Sequence, residues 1–337
     1  MSESSLLTVK DLKTYFYLAS GVVKAVDGVS FSIAPGEILG IVGESGCGKS
    51  VTASSIIRLL PKIGKIVDGT IHFGKKDVLD LNQKELLSFR GKDVSMIFQD
   101  PMTSLDPVFK IGDQMVENIR VHHKDISPAK AREMSIDALR RVGIPNPESR
   151  LSAYPHQLSG GMCQRVIIAM AICCAPQLLI ADEPTTALDV TVQSQVLSLL
   201  EELRAKTNTA ILLITHNLGI VWRMCDTVMV MYAGKTVEYA TAKELYSNPK
   251  HPYTWGLLNS MPRLSDDSRE KLATIPGAPP DLRLTGSCCN FYNRCPYATE
   301  RCARETPELT DVSMGHKVAC LRQAAGELKY KGVFGDG

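Results

Sequence analysis

Apolar residues in the N-terminal part of the chain come in short bursts separated by turn-forming residues. Leu6 to Val9 and Ala25 to Ile33 read as β segments, Pro35-Gly36 as a turn, and the unbroken run Ile38 to Val42 as a strand entering a glycine-rich loop. From Ser50 to Leu60 the residues favour a helix that Pro61 stops, and Gly69 to Phe73 returns to a strand pattern. Between about Gln83 and Arg165 charged residues dominate while Leu and Ile recur at helical spacing, as over Ala129 to Val142, which predicts a mainly helical insertion. Leu178 to Ala181 and Ala210 to Thr215 are continuous apolar runs of strand length, as parallel strands covered on both faces require, with the helical Val190 to Ala205 between them. The core is expected to be α/β. Beyond about residue 248 proline density rises and periodicity fades, which predicts a small, irregular C-terminal domain.

Composition narrows the picture without naming an activity. At 337 residues the chain has room for two domains, and 44% hydrophobic with 22% charged residues excludes collagen-like and wholly disordered classes. Lys plus Arg number 38 against 36 Asp plus Glu, with no dense basic block, so nucleic acid is not an expected partner. The longest apolar run, the ten residues Val166 to Ala175, ends at Pro176 and is far below the roughly 18 residues of a membrane span. Met1 to Lys10 shows no basic segment followed by an apolar stretch, so neither a signal peptide nor a transit sequence is expected, and residence should be cytosolic. Ten cysteines in that compartment are expected to be buried, catalytic or metal-bound rather than paired, and five of them follow residue 285.

Three patterns carry chemistry. Gly43-Glu44-Ser45-Gly46-Cys47-Gly48-Lys49-Ser50 matches G-x-x-x-x-G-K-S after a strand and before a helix, the context a phosphate-binding loop demands. There backbone N–H groups curl around phosphates, Lys49 reaches the β and γ phosphates and the Ser50 hydroxyl ligates magnesium; Cys47 reads as a variable loop position rather than a redox centre. Leu178 to Glu183 ends a buried strand in two carboxylates, which is costly unless a cation or a reacting water uses them. Asp182 would steady the magnesium shell and Glu183 would orient and polarise the attacking water. Leu158-Ser159-Gly160-Gly161-Met162 precedes the helical Cys163 to Cys174 and makes a second helix N-terminus suited to a phosphate.

The GESGCGKS loop, the LSGGM segment, the LLIADE strand and His216 after Leu212-Leu213-Ile214-Thr215 together resemble an ATP-binding-cassette (ABC) ATPase over about residues 6 to 245. The resemblance implies a P-loop NTPase α/β fold with an antiparallel β subdomain and a helical subdomain. It implies that ATP is held by Gly43, Ser45, Gly46, Cys47, Gly48, Lys49, Ser50 and Val51, with magnesium at Ser50, Gln99 and Asp182. Gln99, in Phe98-Gln99-Asp100, resembles the residue linking magnesium to the transport domain, and His216 the histidine that contacts the γ phosphate. On its own, His216 would read as a core histidine. Asp189, in Ala187-Leu188-Asp189, resembles the loop that crosses the dimer interface, and Ser159, Gly160 and Gly161 would serve the nucleotide of a partner cassette. Catalysis is then carried by Glu183, His216 and Lys49 in a dimer. Met162 stands where the family more often has Gln, which leaves the phosphate-facing residues intact. For the aromatic that stacks on adenine, Phe16 is preferred to Tyr15.

Cys289, Cys295, Cys302 and Cys320 follow C-x5-C-x6-C-x17-C. Four thiolates suit zinc or an iron-sulfur cluster; the paired C-x2-C knuckles of structural zinc are absent, so a 4Fe-4S cluster is preferred over zinc or free thiols. Cys289 is chosen over Cys288 because Cys289 to Cys295 resembles the family's C-x-F-x-x-R-C segment. That tail, with His251-Pro252-Tyr253-Thr254, Leu257-Leu258 and Ile275-Pro276-Gly277, resembles the C-terminal extension of dipeptide and oligopeptide importer ATPases. The expected division is a nucleotide-binding domain at 1–248, with its helical subdomain at about 85–165, and a C-terminal domain at 249–337 holding the cysteine site. The resemblance implies an ATP-hydrolysing subunit on the cytoplasmic face of the membrane. It would pair with a second, homologous ATPase, dock on two permease subunits and be fed by an external peptide-binding protein. The same motor serving nickel or another small solute is the alternative, and a soluble non-transport ABC ATPase a further one.

Overall fold

Strands β1 (Leu7–Leu18) and β2 (Gly21–Ile33) form a long antiparallel hairpin, and β1 also pairs antiparallel with β4 (Gly64–Phe73), which is followed by the short β5 (Lys76–Asp77). The strands run much further than the apolar segments Leu6 to Val9 and Gly69 to Phe73. The cause is a bulge: Asp11 adopts a left-handed φ of 46°, the register shifts there, and Leu12 and Thr14 resume burial after the polar Lys10-Asp11. A two-residue alternation cannot be followed through such a shift by eye.

The computed structural model describes residues 5–100, 104–185, 188–261 and 274–329. The chain divides into two compact units. The first is Met1–Ile33, Ile38–Leu79 and Leu213–Gly337, and the second is Ala34–Glu37 and Asp80–Leu212.

In the first unit, β3 (Ile38–Val42) pairs parallel with β9 (Thr227–Tyr232), and β9 pairs antiparallel with β10 (Lys235–Thr241). Every residue of β3 is buried, as expected of a strand covered on both faces. The helix after the glycine loop spans Lys49–Ile56 and stops short of Leu60. Arg58 takes a left-handed φ of 52°, and the N–H groups of Arg58 and Leu59 turn back to the carbonyls of Ser55 and Ser54 at 3.0 and 2.8 Å. The helix is ended by its own C-terminal turn, not by Pro61.

The C-terminal segment builds onto the same unit. The hairpin β11 (Thr310–Ser313) and β12 (His316–Val318) adds to β10 through Glu238 and Tyr239. Helix Pro252–Asn259 starts with proline at its first position and His251 as its N-cap, whose Nδ1 accepts the Tyr253 N–H at 3.1 Å. Glu238 is fully buried on β10. Its carboxylate accepts the N–H groups of Lys250 and His251 at 2.6 and 2.9 Å and lies 2.8 Å from His316 Nε2. Two further segments, at 250–251 and at His316, converge on that one side chain.

The second unit is mainly helical between 83 and 172, as predicted: Gln83–Ser88, Ile111–His122, Pro128–Arg141 and Gly160–Ile172. Asn82 and Glu85 form a reciprocal capping box, and Ser127 caps a helix with Pro128 at its first position. One strand inside the insertion escaped the pattern. Four-residue β6 (Val94–Ile97) pairs parallel with β7 (Leu178–Asp182), beyond which lies β8 (Ala210–Ile214). Such a short run carries too few alternations to be read. Helix Val190–Thr207 separates β7 from β8 as expected.

Candidate functional site

The glycine loop of the first unit turns where only glycine serves. Gly43 and Gly48 have φ of 153° and 105°, and a Cβ on either would run into the carbonyl oxygen of Met231 or Ala25. The loop thus lies flat on β9 and β2, and the Gly234 N–H fastens it by donating to the Cys47 carbonyl at 3.0 Å. Lys49 is buried and its Nζ donates to the carbonyls of Gly43 and Glu44 at 2.8 and 2.9 Å, so the ammonium already sits inside the loop's curl. Burial pushes the Cys47 thiol above its usual range despite the nearby Lys49 charge. Ser45, Gly46 and Ser50 are exposed and Val51 half-buried, so the loop's outer rim faces solvent.

The first unit also carries His216 and the two aromatics, Phe16 and Tyr15, between which the sequence left the adenine contact. Thr215 N–H donates to the Ile41 carbonyl at 3.2 Å, placing His216 beyond the end of β3 from which the glycine loop departs. His216 is exposed, which removes the reading of a core histidine. On β1, the Tyr15 hydroxyl is engaged by Asp27 Oδ1 at 2.7 Å, and desolvation followed by that bond raises its pKa. Phe16 is half-buried and its ring packs over Gly64. Of the two rings, Phe16 is the one without a hydroxyl committed elsewhere.

In the second unit Asp182 is buried at the end of β7, and Glu183, next along, takes a left-handed φ of 47°. A glutamate held in that region marks a place where the surroundings over-determine the backbone. Its Oε2 accepts from Gln99 Nε2 at 3.0 Å, so two of the expected site residues, 84 positions apart, are brought into direct contact. Ser159 caps helix Gly160–Ile172 by accepting the Met162 N–H at 3.3 Å, which leaves an exposed helix start at Gly160. A Cβ on Gly161 would come within 3.1 Å of Val192. Asp189 caps helix Val190–Thr207 through the Val192 N–H at 2.9 Å; Ala187 of the same motif lies outside the described residues.

A residue the sequence did not single out joins these pieces. Gln164 is buried and donates to the Pro184 carbonyl at 2.7 Å, tying the helix that starts at Gly160 to the backbone following Glu183. A polar residue on the apolar face of the Cys163 to Cys174 helix was the available signal.

Cys289, Cys295, Cys302 and Cys320 line one small cavity of about 20 Å³, walled also by His251, Phe291, Tyr292 and Tyr297. Cys288 does not line it and borders a neighbouring cavity of about 690 Å³ instead. Burial pushes Cys289 up to about 12 and Cys295 up to about 11, while backbone N–H groups of Phe291 and Tyr297 act in the opposite sense on these sulfurs. Among the described residues no group of three or more His, Cys, Asp or Glu is placed to hold a metal ion, so neither the expected 4Fe-4S cluster nor zinc finds support in this arrangement of the four cysteines. Nor is any described helix long and apolar enough to cross a membrane.

A nucleotide-type glycine loop on β3 and a buried strand ending in two carboxylates define a P-loop ATPase. The sequence model described as "ABC transporter" matches residues 26–186, and that described as "Oligopeptide/dipeptide transporter, C-terminal region" matches residues 237–302. The chain is 50% identical over 319 residues to the dipeptide transport ATP-binding protein DppD of Bacillus subtilis, covering 94% of this chain and 95% of that one. It is 49% identical over 317 residues to the oligopeptide transport ATP-binding protein OppD of Salmonella typhimurium, covering 94% and 93%. Among solved structures, cbiO1 from Clostridium perfringens, part of the ABC transporter complex cbiONQ, aligns with a TM-score of 0.61 at 29% identity over 72% of this chain and 91% of its own. A dimeric ATP-binding cassette in a post-hydrolysis state bound to ADP and Pi shares the fold at a TM-score of 0.63 and 24% identity, over 70% of this chain and 98% of its own. The chain therefore belongs to the ABC transporter ATPases that carry the oligopeptide/dipeptide transporter C-terminal region.

Proposed function

We propose that this ATPase powers the import of dipeptides or oligopeptides through a membrane permease. The observation that carries the reading is the extent of its likeness to DppD and OppD, near 50% over 94% of the chain, tail included. We assign residues 1–248 to nucleotide binding, with a helical subdomain at about 85–165, and 249–337 to a C-terminal domain. The subunit is peripheral, on the cytoplasmic face of the membrane. It pairs with a second, homologous ATPase and docks on two permease subunits fed by an external peptide-binding protein.

In this reading Gly43 to Val51 hold the phosphates of ATP, and Lys49 turns its ammonium from the loop carbonyls to the β and γ phosphates. Ser50, Gln99 and Asp182 would hold magnesium, which would supply charge neutralisation at the transferred phosphoryl group. Glu183 holds the attacking water and His216 the γ phosphate; Phe16 stacks on adenine. Ser159, Gly160 and Gly161 offer a helix N-terminus to the nucleotide of the partner cassette, and Asp189 lies at that interface. Bond cleavage is hydrolysis, and preorganised charge supplies most of the acceleration.

We also assign an iron-sulfur cluster of 4Fe-4S type to Cys289, Cys295, Cys302 and Cys320. What supports it is the donor set: four thiols line one cavity, and backbone N–H groups of Phe291 and Tyr297 act on the sulfurs of Cys289 and Cys295. The cavity, about one water in size, is far smaller than such a cluster, and the four thiols would have to stand further apart to hold it. Anaerobic purification with iron, sulfide and zinc analysis checks this, and a protein free of iron overturns it.

Uptake of a labelled dipeptide by cells carrying either the native chain or Lys49→Ala, with labelled nickel alongside, tests the transport reading. Loss of peptide uptake alone is expected. Loss of nickel uptake alone would keep the motor and replace the cargo.

A further inference from the structure

The glycine loop is gripped from the C-terminal segment through a residue that neither the loop motif nor the carboxylates account for. Glu44, the second residue of the loop, is held at both its backbone and its side chain. Its N–H donates to the Tyr253 hydroxyl at 2.8 Å. Its carboxylate receives a two-pronged bond from Arg294, NH1 to Oε2 at 2.6 Å and NH2 to Oε1 at 2.8 Å. The Arg294 side chain is only 4% exposed. Its remaining donors are also directed: Nε to the Pro276 carbonyl at 2.9 Å and NH2 to the Ile275 carbonyl at 3.3 Å, with the guanidinium 5.7 Å from the Tyr232 ring centre.

Two consequences follow from charge and geometry. The Glu44 carboxylate is an anion in a loop shaped for phosphates, and a neighbouring anion opposes the binding of another. Arg294 cancels it with a charge that burial and five fixed donors prevent from swinging away. The Glu44 carbonyl is one of the two carbonyls to which Lys49 Nζ donates, so fixing Glu44 at its N–H and carboxylate also constrains the lysine's position.

We propose that Arg294, with Tyr253, is a positioning residue for nucleotide binding: the C-terminal segment neutralises Glu44 and sets the curvature of the phosphate-binding loop. Arg294 immediately precedes Cys295, so the cysteine-bearing segment and the nucleotide site are mechanically joined through one guanidinium. The inference rests on the ATPase reading and is independent of the cargo.

The test is MgATP affinity of the full-length chain in its assembled transporter, with unfolding temperature measured alongside without nucleotide. Arg294→Gln is expected to weaken MgATP binding about tenfold, and Glu44→Gln combined with Arg294→Gln to return it to within about threefold of native, because no unpaired carboxylate then faces the phosphates. If Arg294→Gln does not fold, Arg294→Lys keeps the charge and loses the fork, and weakening of about threefold is expected. Native affinity in a folded Arg294 variant overturns the proposal. So does a double variant as weak as the single one, which would make Arg294 a brace and nothing more. A native chain that binds no MgATP would instead remove the ATPase reading itself.

Discussion

Gln99 Nε2 donates to Glu183 Oε2 across 3.0 Å, joining the residue that follows β6 and Phe98 to the one that follows β7. The carboxylate we assign to the attacking water is thus in direct contact with the amide we assign to magnesium.

Glu183→Gln removes the charge that we propose polarises the attacking water, while keeping the volume and a hydrogen-bonding oxygen. MgATP binding should persist and turnover fall by about a hundredfold or more. Phosphate release at saturating ATP, measured in the assembled complex, checks this; native turnover would remove Glu183 from its role.

Cys47 lies inside the phosphate-binding loop, yet its thiol is buried and held above its usual range chiefly by that burial. Little thiolate exists at neutral pH. The native protein should therefore resist alkylation at Cys47 until it unfolds, as peptide mass mapping after iodoacetamide treatment would reveal. Rapid labelling in the folded state, quenched by ATP, would contradict it.

Glu238 and His316 meet in a fully enclosed setting, 0% and 1% exposed, and the carboxylate also takes two backbone N–H groups. Glu238→Ala leaves those donors and the imidazole without their acceptor and should cost about 3 kcal/mol of stability. Denaturant unfolding gives the number, and a loss below about 0.5 kcal/mol would be incompatible with the geometry.

His251 is enclosed, and desolvation holds its pKa down at about 4 against a partly opposing Glu238 charge. A depressed histidine stays neutral in the native state while the unfolded chain takes up a proton near pH 6.5. Stability from this group is thus present above about pH 6.5 and declines as pH falls towards about 4, below which no further loss accrues. His251→Asn preserves the side-chain acceptor for the Tyr253 N–H and removes the titration. The difference in pH dependence between native and variant proteins across that window should amount to up to one proton; identical slopes would show that His251 titrates normally.

The phosphate loop, the paired carboxylates and the Ser-Gly-Gly helix start were legible because each is a contiguous stretch whose residue types are dictated locally. A loop that curls around phosphates needs glycines at fixed offsets, and a parallel strand covered on both faces reads as an apolar run. The extent of β1 was not legible, since the bulge at Asp11 moves the alternation by one step. Nor was β6, whose four residues gain strand character only by pairing with β7. Gln164 was passed over because its partner, the Pro184 carbonyl, is a backbone atom with no sequence signature.

By itself, the sequence determined the class of chemistry: the GKS loop, the Asp182-Glu183 pair, His216 and the cysteine-rich tail are statements about residue type and short spacing. Tertiary structure alone decided which distant groups act together. It set Gln99 on Glu183, Arg294 on Glu44, and His316 with the Lys250 and His251 N–H groups on Glu238, and it placed Cys289 rather than Cys288 with the other three thiols. The reason is physical: a motif is bonded through the chain, whereas these pairings arise from burial, where a charge or a polar group must find a partner wherever the fold brings one within reach.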